Sequence, residues 1–202
     1  MKKFLVIGNP IEHSLSPELH NYWIKNNGVD AIYDKQKINE DELGQIISQV
    51  KDKKISGVNV TVPFKKKVIT YLDELSPEAQ DTQSVNTIYL KDNKVVGHNT
   101  DIIGFENSIK KSEYNLYNKE VLILGAGGVV SSIIFGLIKM KVSKIKICNR
   151  TKEKAENLKK FSKNIEILEW GEVPYFDMII NATSLGLKKE DNLNLDFSSI
   201  SG

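Results

Sequence analysis

Apolar residues recur along the chain at two spacings, every second position and every third or fourth, and stretches of the two kinds take turns from end to end. Phe4 to Ile7 is a short apolar run stopped by Gly8, Asn9 and Pro10, and it predicts a first strand. Ser16, Pro17 and Glu18 then predict a helix start, with Ser16 as cap and proline at the first helical position. Leu19, Tyr22 and Trp23 supply a buried stripe for that helix, which ends at Asn27-Gly28, where a left-handed residue is easily placed. Leu43, Ile46, Ile47 and Val50 repeat at helical spacing, and Val58, Val60 and Val62 alternate as strand residues do. Val85 to Leu90 and Lys94 to Asn99 predict a hairpin joined at Lys91-Asp92-Asn93.

Polar residues from Lys110 to Lys119 separate this block from a second one. Val121 to Leu124 is an all-apolar strand of the kind buried on both faces. After it come a glycine-rich turn, a helix from about Gly128 to Met140, a strand at Lys144 to Cys148 and a helix from Lys152 to Phe161. Two more strands follow near Ile165 to Leu168 and Met178 to Asn181. Strand and helix alternate throughout, which predicts an α/β protein with parallel sheets. The junction falls near Asp101 to Asn118, giving an N-terminal α/β domain over residues 1–102 and an incomplete Rossmann domain over 103–202.

Composition removes several function classes. Of 202 residues, 28 are Lys or Arg and 26 are Asp or Glu, so the net charge of +2 offers no basic field for nucleic acid or acidic membrane. The first apolar run is too short for a signal-peptide core or a membrane span. The one cysteine, Cys148, excludes an internal disulfide and any Cys-rich metal site, and it fits a reducing cytoplasm. His13, His20 and His98 have no partners at ligand spacing, so no metal is expected.

Two stretches carry candidate chemistry. Gly125-Ala126-Gly127-Gly128 lies between an apolar strand and an apolar helix. Small residues there let backbone amides approach a pyrophosphate, and the helix N-terminus adds partial positive charge. Val130 stands at the third small position of the usual fingerprint. At the end of the next strand, Cys148-Asn149-Arg150-Thr151 has no acid to hold a ribose 2′-hydroxyl. Arg150 is the only arginine in the chain, and a planar fork suits a phosphate, so NADP is the expected cofactor. Asn149 and Thr151 can donate to the same phosphate, and Lys154 adds charge one turn into the helix.

In the first block, Asn59 and Thr61 share one strand face about 7 Å apart. Pro63-Phe64-Lys65 ends that strand, starts a helix and brings the Lys65 ammonium near the same face, while Lys66 and Lys67 read as solvated. Ser84-Val85-Asn86-Thr87 and Asn99-Thr100-Asp101 add amide, hydroxyl and carboxylate groups at strand ends. Singly, Asn86 is a turn former, Asp101 a helix cap, and Ser14 and Ser16 caps of the first helix. Together they suit a polyhydroxylated acid, which needs many short hydrogen-bonding side chains.

In order and spacing these residues resemble the shikimate dehydrogenase family from the first strand to the last residue. The resemblance implies that Ser14 and Ser16 hold a substrate carboxylate, and that Asn59-Val60-Thr61-Val62-Pro63-Phe64-Lys65 is a signature loop with a substrate-binding threonine and a catalytic lysine. It implies that Asn86 and Asp101 bind ring hydroxyls, with Asp101 pairing Lys65. Gly125 to Val129 are similar to the NADP phosphate loop and Asn149-Arg150-Thr151 to the 2′-phosphate clamp. Asn181-Ala182-Thr183-Ser184-Leu185-Gly186 resembles the loop that passes the nicotinamide.

The activity so implied is reversible reduction of 3-dehydroshikimate by NADPH, in the cytoplasm, by a monomer or homodimer. An NAD-dependent quinate/shikimate dehydrogenase and a noncatalytic shikimate-binding protein are the alternatives. Family members continue beyond Gly202 through a segment with another substrate-binding glutamine and a helix that packs back on the first domain. Gly202 is therefore read as an interruption, leaving an uncovered edge on the second sheet.

Overall fold

The structure, a computed structural model, describes residues 1–186 and 189–198; Gly202, read above as an interruption, lies outside the described residues. The chain forms two compact units, Met1–Thr100 and Asp101–Gly202. Among the described residues no helix is long and apolar enough to cross a membrane, and no three His, Cys, Asp or Glu residues gather as a metal site.

The first unit contains β1 (Lys2–Gly8), α1 (Ser16–Asn26), β2 (Ala31–Lys37), α2 (Leu43–Lys51), β3 (Gly57–Val60), β4 (Glu74–Leu75), α3 (Pro77–Thr82), β5 (Thr87–Lys91) and β6 (Lys94–His98). They build one six-stranded sheet in the order β2-β1-β3-β5-β6-β4. β2, β1 and β3 run parallel, connected through α1 and α2, and β5 and β6 add an antiparallel hairpin. Alternation sends Leu5, Ile7, Val58 and Val60 into one core with Leu43, Ile46, Ile47 and Val50 of α2. Each such side chain contributes roughly 1.5–3 kcal/mol on burial. The opposite face carries Val6, Ile11 and Tyr33, with Phe4 and Ile24 around them.

α1 departs from expectation. It has no fully buried residue, and Leu19, Tyr22 and Trp23 are 48%, 63% and 50% exposed. A polar edge faces inward instead. Asn21 Nδ2 donates to the Tyr33 carbonyl at 2.7 Å, Asn21 Oδ1 accepts from the Tyr33 N–H at 3.0 Å, and the His20 ring stacks on the Tyr33 ring at 4.1 Å. β2 is an edge strand, so the outer backbone groups of Tyr33 have no strand partner, and the Asn21 carboxamide supplies both. Ser16 is the first helical residue and not the cap. Leu15, already in helical backbone geometry, occupies that place, and Ser14 Oγ accepts from the Ser16 N–H at 3.3 Å.

β3 stops at Val60, and Val62 beyond it is 57% exposed, because Pro63 has no N–H to continue the ladder. No α-helix starts at Pro63. Phe64 N–H closes a turn on the Thr61 carbonyl at 2.9 Å, and a 3₁₀ helix follows over Lys67–Tyr71. In the hairpin, Lys91 pairs with Lys94, which leaves Asp92 and Asn93, at φ 50° and 60°, as a two-residue type I′ turn.

The second unit contains α4 (Asp101–Lys111), β7 (Glu120–Leu124), α5 (Val130–Lys139), β8 (Lys144–Cys148), α6 (Lys152–Glu156), β9 (Ile165–Leu168) and β10 (Met178–Asn181). Among the described residues its four strands are all parallel, in the order β10-β7-β8-β9. The chain winds outward from β7 to β9 and then returns to β10 on the other side of β7, which creates a topological switch point between β7 and β10. Val121, Ile123, Ile145 and Ile147 pack with Val130, Ile134 and Leu137 of α5 on one face. Leu122, Leu124 and Cys148 on the other face are covered by Trp170, Phe176, Leu193 and Leu195. Lys146 is buried, its Nζ donating to the Tyr175 carbonyl at 2.7 Å and pairing with Glu120 at 2.6 Å.

Asp101 to Lys111, within the stretch expected as a junction, is a helix. A β-carbon on Gly136 of α5 would lie 2.7 Å from Phe105 Cδ1, so the missing side chain lets the two helices close, and Glu106 pairs with Lys139 at 3.2 Å. α5 begins at Val130, not Gly128. The helix expected to Phe161 breaks after Glu156, since Ala155, Leu158 and Phe161 all turn toward one core and a 3₁₀ spacing of three residues aligns them.

Candidate functional site

At the end of β1, a β-carbon on Gly8 would lie 2.5 Å from Thr61 Cγ2 and 3.1 Å from the Val62 carbonyl oxygen. Glycine there lets the chain after β3 cross the strand end, and the Asn9 N–H ties the crossing to the Val62 carbonyl at 3.0 Å. Ser14 and Ser16, both half-buried, follow in the segment leaving this crossing, where the Ser14 N–H donates to the Ile11 carbonyl at 3.0 Å. Lys65 is half-buried, and its carbonyl accepts from the Val85 N–H at 2.8 Å. The turn that carries Lys65 is thereby fastened to the segment that carries Asn86.

Strand register brings Asn59 opposite Thr87. Asn59 Nδ2 donates to the Asn86 carbonyl and to Thr87 Oγ1, each at 3.1 Å, and Asn59 Oδ1 accepts from the Tyr33 hydroxyl at 2.7 Å. Burial pushes the Tyr33 phenol up to about 12, which keeps it a neutral donor. Asn86 Oδ1 accepts from Thr87 Oγ1 at 2.9 Å and from the Thr100 N–H at 3.0 Å, while Asn86 Nδ2 donates to Thr100 Oγ1 at 2.9 Å. Asn99 is fully buried and donates to Thr82 Oγ1 at 3.0 Å and the Ser84 carbonyl at 2.9 Å, so it anchors the end of the hairpin. Asp101, the next residue after Thr100, opens α4 in the second unit.

In that unit the loops after β7, β8 and β10 meet at the C-terminal ends of the strands. Gly125 leaves β7 at φ +108°, its N–H donates to the Cys148 carbonyl at 2.8 Å, and the Ala182 N–H donates to the Leu124 carbonyl at 2.8 Å. Ala126, Gly127, Gly128 and Val129 then lead into the N-terminus of α5. A β-carbon on Gly127 would meet nothing closer than 3.9 Å, so the loop keeps open space above its backbone. Ser131, in the first turn of α5, is 2% exposed and its Oγ has no hydrogen-bond partner among the described residues. After β8, Asn149 Nδ2 donates to the Thr151 carbonyl at 2.7 Å and shapes a turn on which Arg150 is exposed, with Lys154 exposed on α6. After β10, Asn181 Oδ1 accepts from the Thr183 N–H at 3.0 Å and Oγ1 at 2.7 Å, and Asn181 Nδ2 holds the Leu185 carbonyl at 2.8 Å, which sets the course of Ala182, Thr183 and Ser184.

These features fit a dinucleotide bearing a 2′-phosphate: an uncrowded glycine loop at the switch point, a helix N-terminus behind it, and an exposed guanidinium where an acid would repel the phosphate. A polar hollow of about 610 Å³ lined by Glu120, Lys144, Lys163 and Glu166 opens at the opposite, N-terminal ends of β7, β8 and β9. It lies on the wrong rim for ligands of an open parallel sheet. Tyr33 and the anchoring roles of Thr87, Thr100 and Asn181 escape sequence reasoning. Asn181 alone had a local signal, an asparagine two residues before a threonine in a loop.

A Rossmann sheet with its glycine loop at the switch point, in one chain with a mixed α/β unit rimmed by short polar side chains, defines a pyridine-nucleotide-dependent oxidoreductase. Residues 6–88 match the model of the shikimate dehydrogenase substrate binding domain, and residues 107–187 that of shikimate / quinate 5-dehydrogenase. The chain belongs to the shikimate dehydrogenase family. It is 58% identical over 200 residues to the shikimate dehydrogenase (NADP(+)) of Pelagibacter ubique, covering 99% of this chain and 76% of that one. The crystal structure of shikimate dehydrogenase from Aquifex aeolicus superposes with a TM-score of 0.88 at 39% identity, over 95% of this chain and 72% of that one. Shikimate 5-dehydrogenase from Thermus thermophilus, in complex with NADP(H) and shikimate, gives 0.83 at 30% identity, over 93% and 70%.

Proposed function

We propose that the chain catalyses the reversible, NADPH-dependent reduction of 3-dehydroshikimate to shikimate, a step toward chorismate and the aromatic amino acids. The observation that carries this reading is the bond from the Val85 N–H to the Lys65 carbonyl, which fixes a lysine-bearing turn to the Asn86 segment at one rim. When bound, NADPH supplies the hydride that reaches the ketone carbon. Lys65 delivers the proton to the ketone oxygen, and in the reverse direction takes it back. Asp101 is assigned as the carboxylate partner of Lys65. Ser14 and Ser16 receive the substrate carboxylate, and Asn59, Thr61 and Asn86 form the polar rim toward the ring hydroxyls.

In the second unit, Gly125 to Val129 bind the pyrophosphate, Asn149, Arg150, Thr151 and Lys154 clamp the 2′-phosphate, and Ala182, Thr183 and Ser184 pass the nicotinamide. The corresponding domains are residues 1–102 for substrate and 103–202 for NADP. A lone buried thiol at Cys148 and a near-neutral surface support a cytoplasmic location, and no side of the reaction calls for more than a monomer or homodimer. The test is loss of NADPH absorbance on adding 3-dehydroshikimate to this chain, repeated with NADH and with shikimate or quinate in the oxidative direction. A rate equal to the enzyme-free blank in every combination sinks the reading.

A further inference from the structure

Arg150, Lys152 and Lys154 alternate along the segment after β8, and Lys152, the first residue of α6, lies outside the turn formed by Asn149, Arg150 and Thr151. Its ammonium is turned away to the neighbouring loop, where it donates to Glu169 Oε1. Strand pairing explains the meeting: Cys148 of β8 stands opposite Leu168 of β9, so the loops that leave the two strands run side by side. Cys148 Sγ donates to the Glu169 carbonyl at 3.1 Å, which fixes Glu169 beside the strand that leads to Arg150. The loop after β9 is closed on itself. The Glu169 N–H donates to Glu172 Oε2 at 2.8 Å and the Glu172 N–H to the Glu169 carbonyl at 3.2 Å. Glu169, first among the groups around it, raises the Lys152 ammonium above its ordinary range, and Glu156 and Glu172 add to the effect. An NAD enzyme keeps an acid at the end of the second strand of its sheet. Here that strand end has none, but an acid stands at the end of the next strand with a lysine laid on it.

We infer that Lys152 is a cofactor-specificity residue: by pairing with Glu169 it masks a carboxylate that would otherwise repel the 2′-phosphate of NADP. The inference rests on the proposed reading of Asn149, Arg150, Thr151 and Lys154 as the clamp for that phosphate. The side chains of the pair are 56% and 61% exposed, so it adds little to stability and acts instead on the charge that meets an incoming phosphate. A phosphate monoester is close to a dianion at neutral pH, and a bare carboxylate beside its seat repels it about twice as strongly as it would a monoanion. NADH, which has a hydroxyl at that position, is indifferent to the mask.

Fluorescence titration gives Kd for NADPH and for NADH in the whole chain and in Lys152→Met, Glu169→Gln, the double variant and Arg150→Ala. Lys152→Met weakens NADPH about three- to tenfold at low ionic strength and NADH less than about twofold. The loss shrinks to less than about twofold at about 0.5 M salt, as a repulsion across solvent does. Glu169→Gln binds NADPH as wild type does, or up to about threefold more tightly. The double variant returns Kd for NADPH to within about twofold of wild type, because the charge that Lys152 covers is gone. A double variant as weak as Lys152→Met overturns the inference, since Lys152 would then be a direct ligand of the phosphate. A loss in Lys152→Met that NADH shares equally overturns it too, as does no loss at all while Arg150→Ala weakens NADPH. Should Arg150→Ala itself bind NADPH as tightly as wild type, the clamp falls and the mask with it.

Discussion

A β-carbon built on Gly125 would lie 2.8 Å from the carbonyl oxygen of Ala182, closer than side chains and backbone come in folded proteins. The two residues sit where the loops after β7 and β10 converge, and Gly125 is at φ +108°, where an L side chain is strained in any case. Gly125→Ala therefore destabilises the second unit by about 1–3 kcal/mol and weakens NADP binding at least about tenfold. Urea unfolding and a fluorescence titration with NADP measure the two effects, and wild-type values in both would show that the loop yields freely.

Arg150 is the only arginine among 28 basic residues and stands on a turn without a carboxylate. Arg150→Ala raises KM for NADPH by about 10- to 100-fold, as loss of a charge-assisted, forked contact requires, and changes KM for NADH less than about threefold. Steady-state kinetics with each cofactor decide it. An equal effect on both would remove the clamp.

Lys65 is offered as the proton donor, so its replacement acts on turnover more than on binding. Lys65→Met lowers kcat by about 10²–10⁴-fold and shifts shikimate affinity by less than about tenfold. Calorimetry with shikimate separates the two terms, and retained turnover would refute the assignment.

Asp177 staples the start of β10 to β7: its carboxylate accepts from Lys119 Nζ at 2.9 Å, the Glu120 N–H at 2.8 Å and the Tyr175 hydroxyl at 3.0 Å. Lys119, first among these, holds the carboxyl below the ordinary carboxylate range. A lowered native value means that the unfolded chain takes up the proton first as pH falls. The stability contributed is complete above about pH 4 and fades below it. Asp177→Asn thus unfolds at lower urea than wild type at pH 7, and the gap narrows at about pH 3. A gap of the same size at both values would show that the charge is irrelevant.

Sequence patterns disclosed the elements whose buried residues are apolar and regularly spaced. Val58 and Val60 in β3, Leu43 to Val50 in α2, Val121 to Leu124 in β7 and the glycine turn after it were all legible for that reason. β2 was not, because only Tyr33 among its seven residues is buried and Asp34 to Lys37 face solvent at a sheet edge. α1 was located but its inward face was misread, since Asn21 and His20 dock it by hydrogen bonding and stacking while its large apolar side chains point out. α4 hid its Ile102, Phe105 and Ile109 stripe among Glu106, Asn107, Ser108 and Lys110. The candidate site residues were named from local motifs, but the hydrogen bonds that join Tyr33 to Asn59 and Asn59 to the Asn86 segment depend on which strands are neighbours and in what register. No stretch of sequence states that by itself.

The antiparallel return of β5 and β6 gives the first unit a property that an all-parallel sheet would lack. Because Thr87 faces His98 across the hairpin, the segment entering β5 and the segment leaving β6 emerge side by side, and one two-residue turn at Asp92-Asn93 determines their alignment. Slippage by a single position would rotate Thr87 to the far side of the sheet and carry Thr100 away from Asn86. The placing of Asn86 beside Thr100 is in that sense encoded at the distal tip of a hairpin, a strand's length away from either residue.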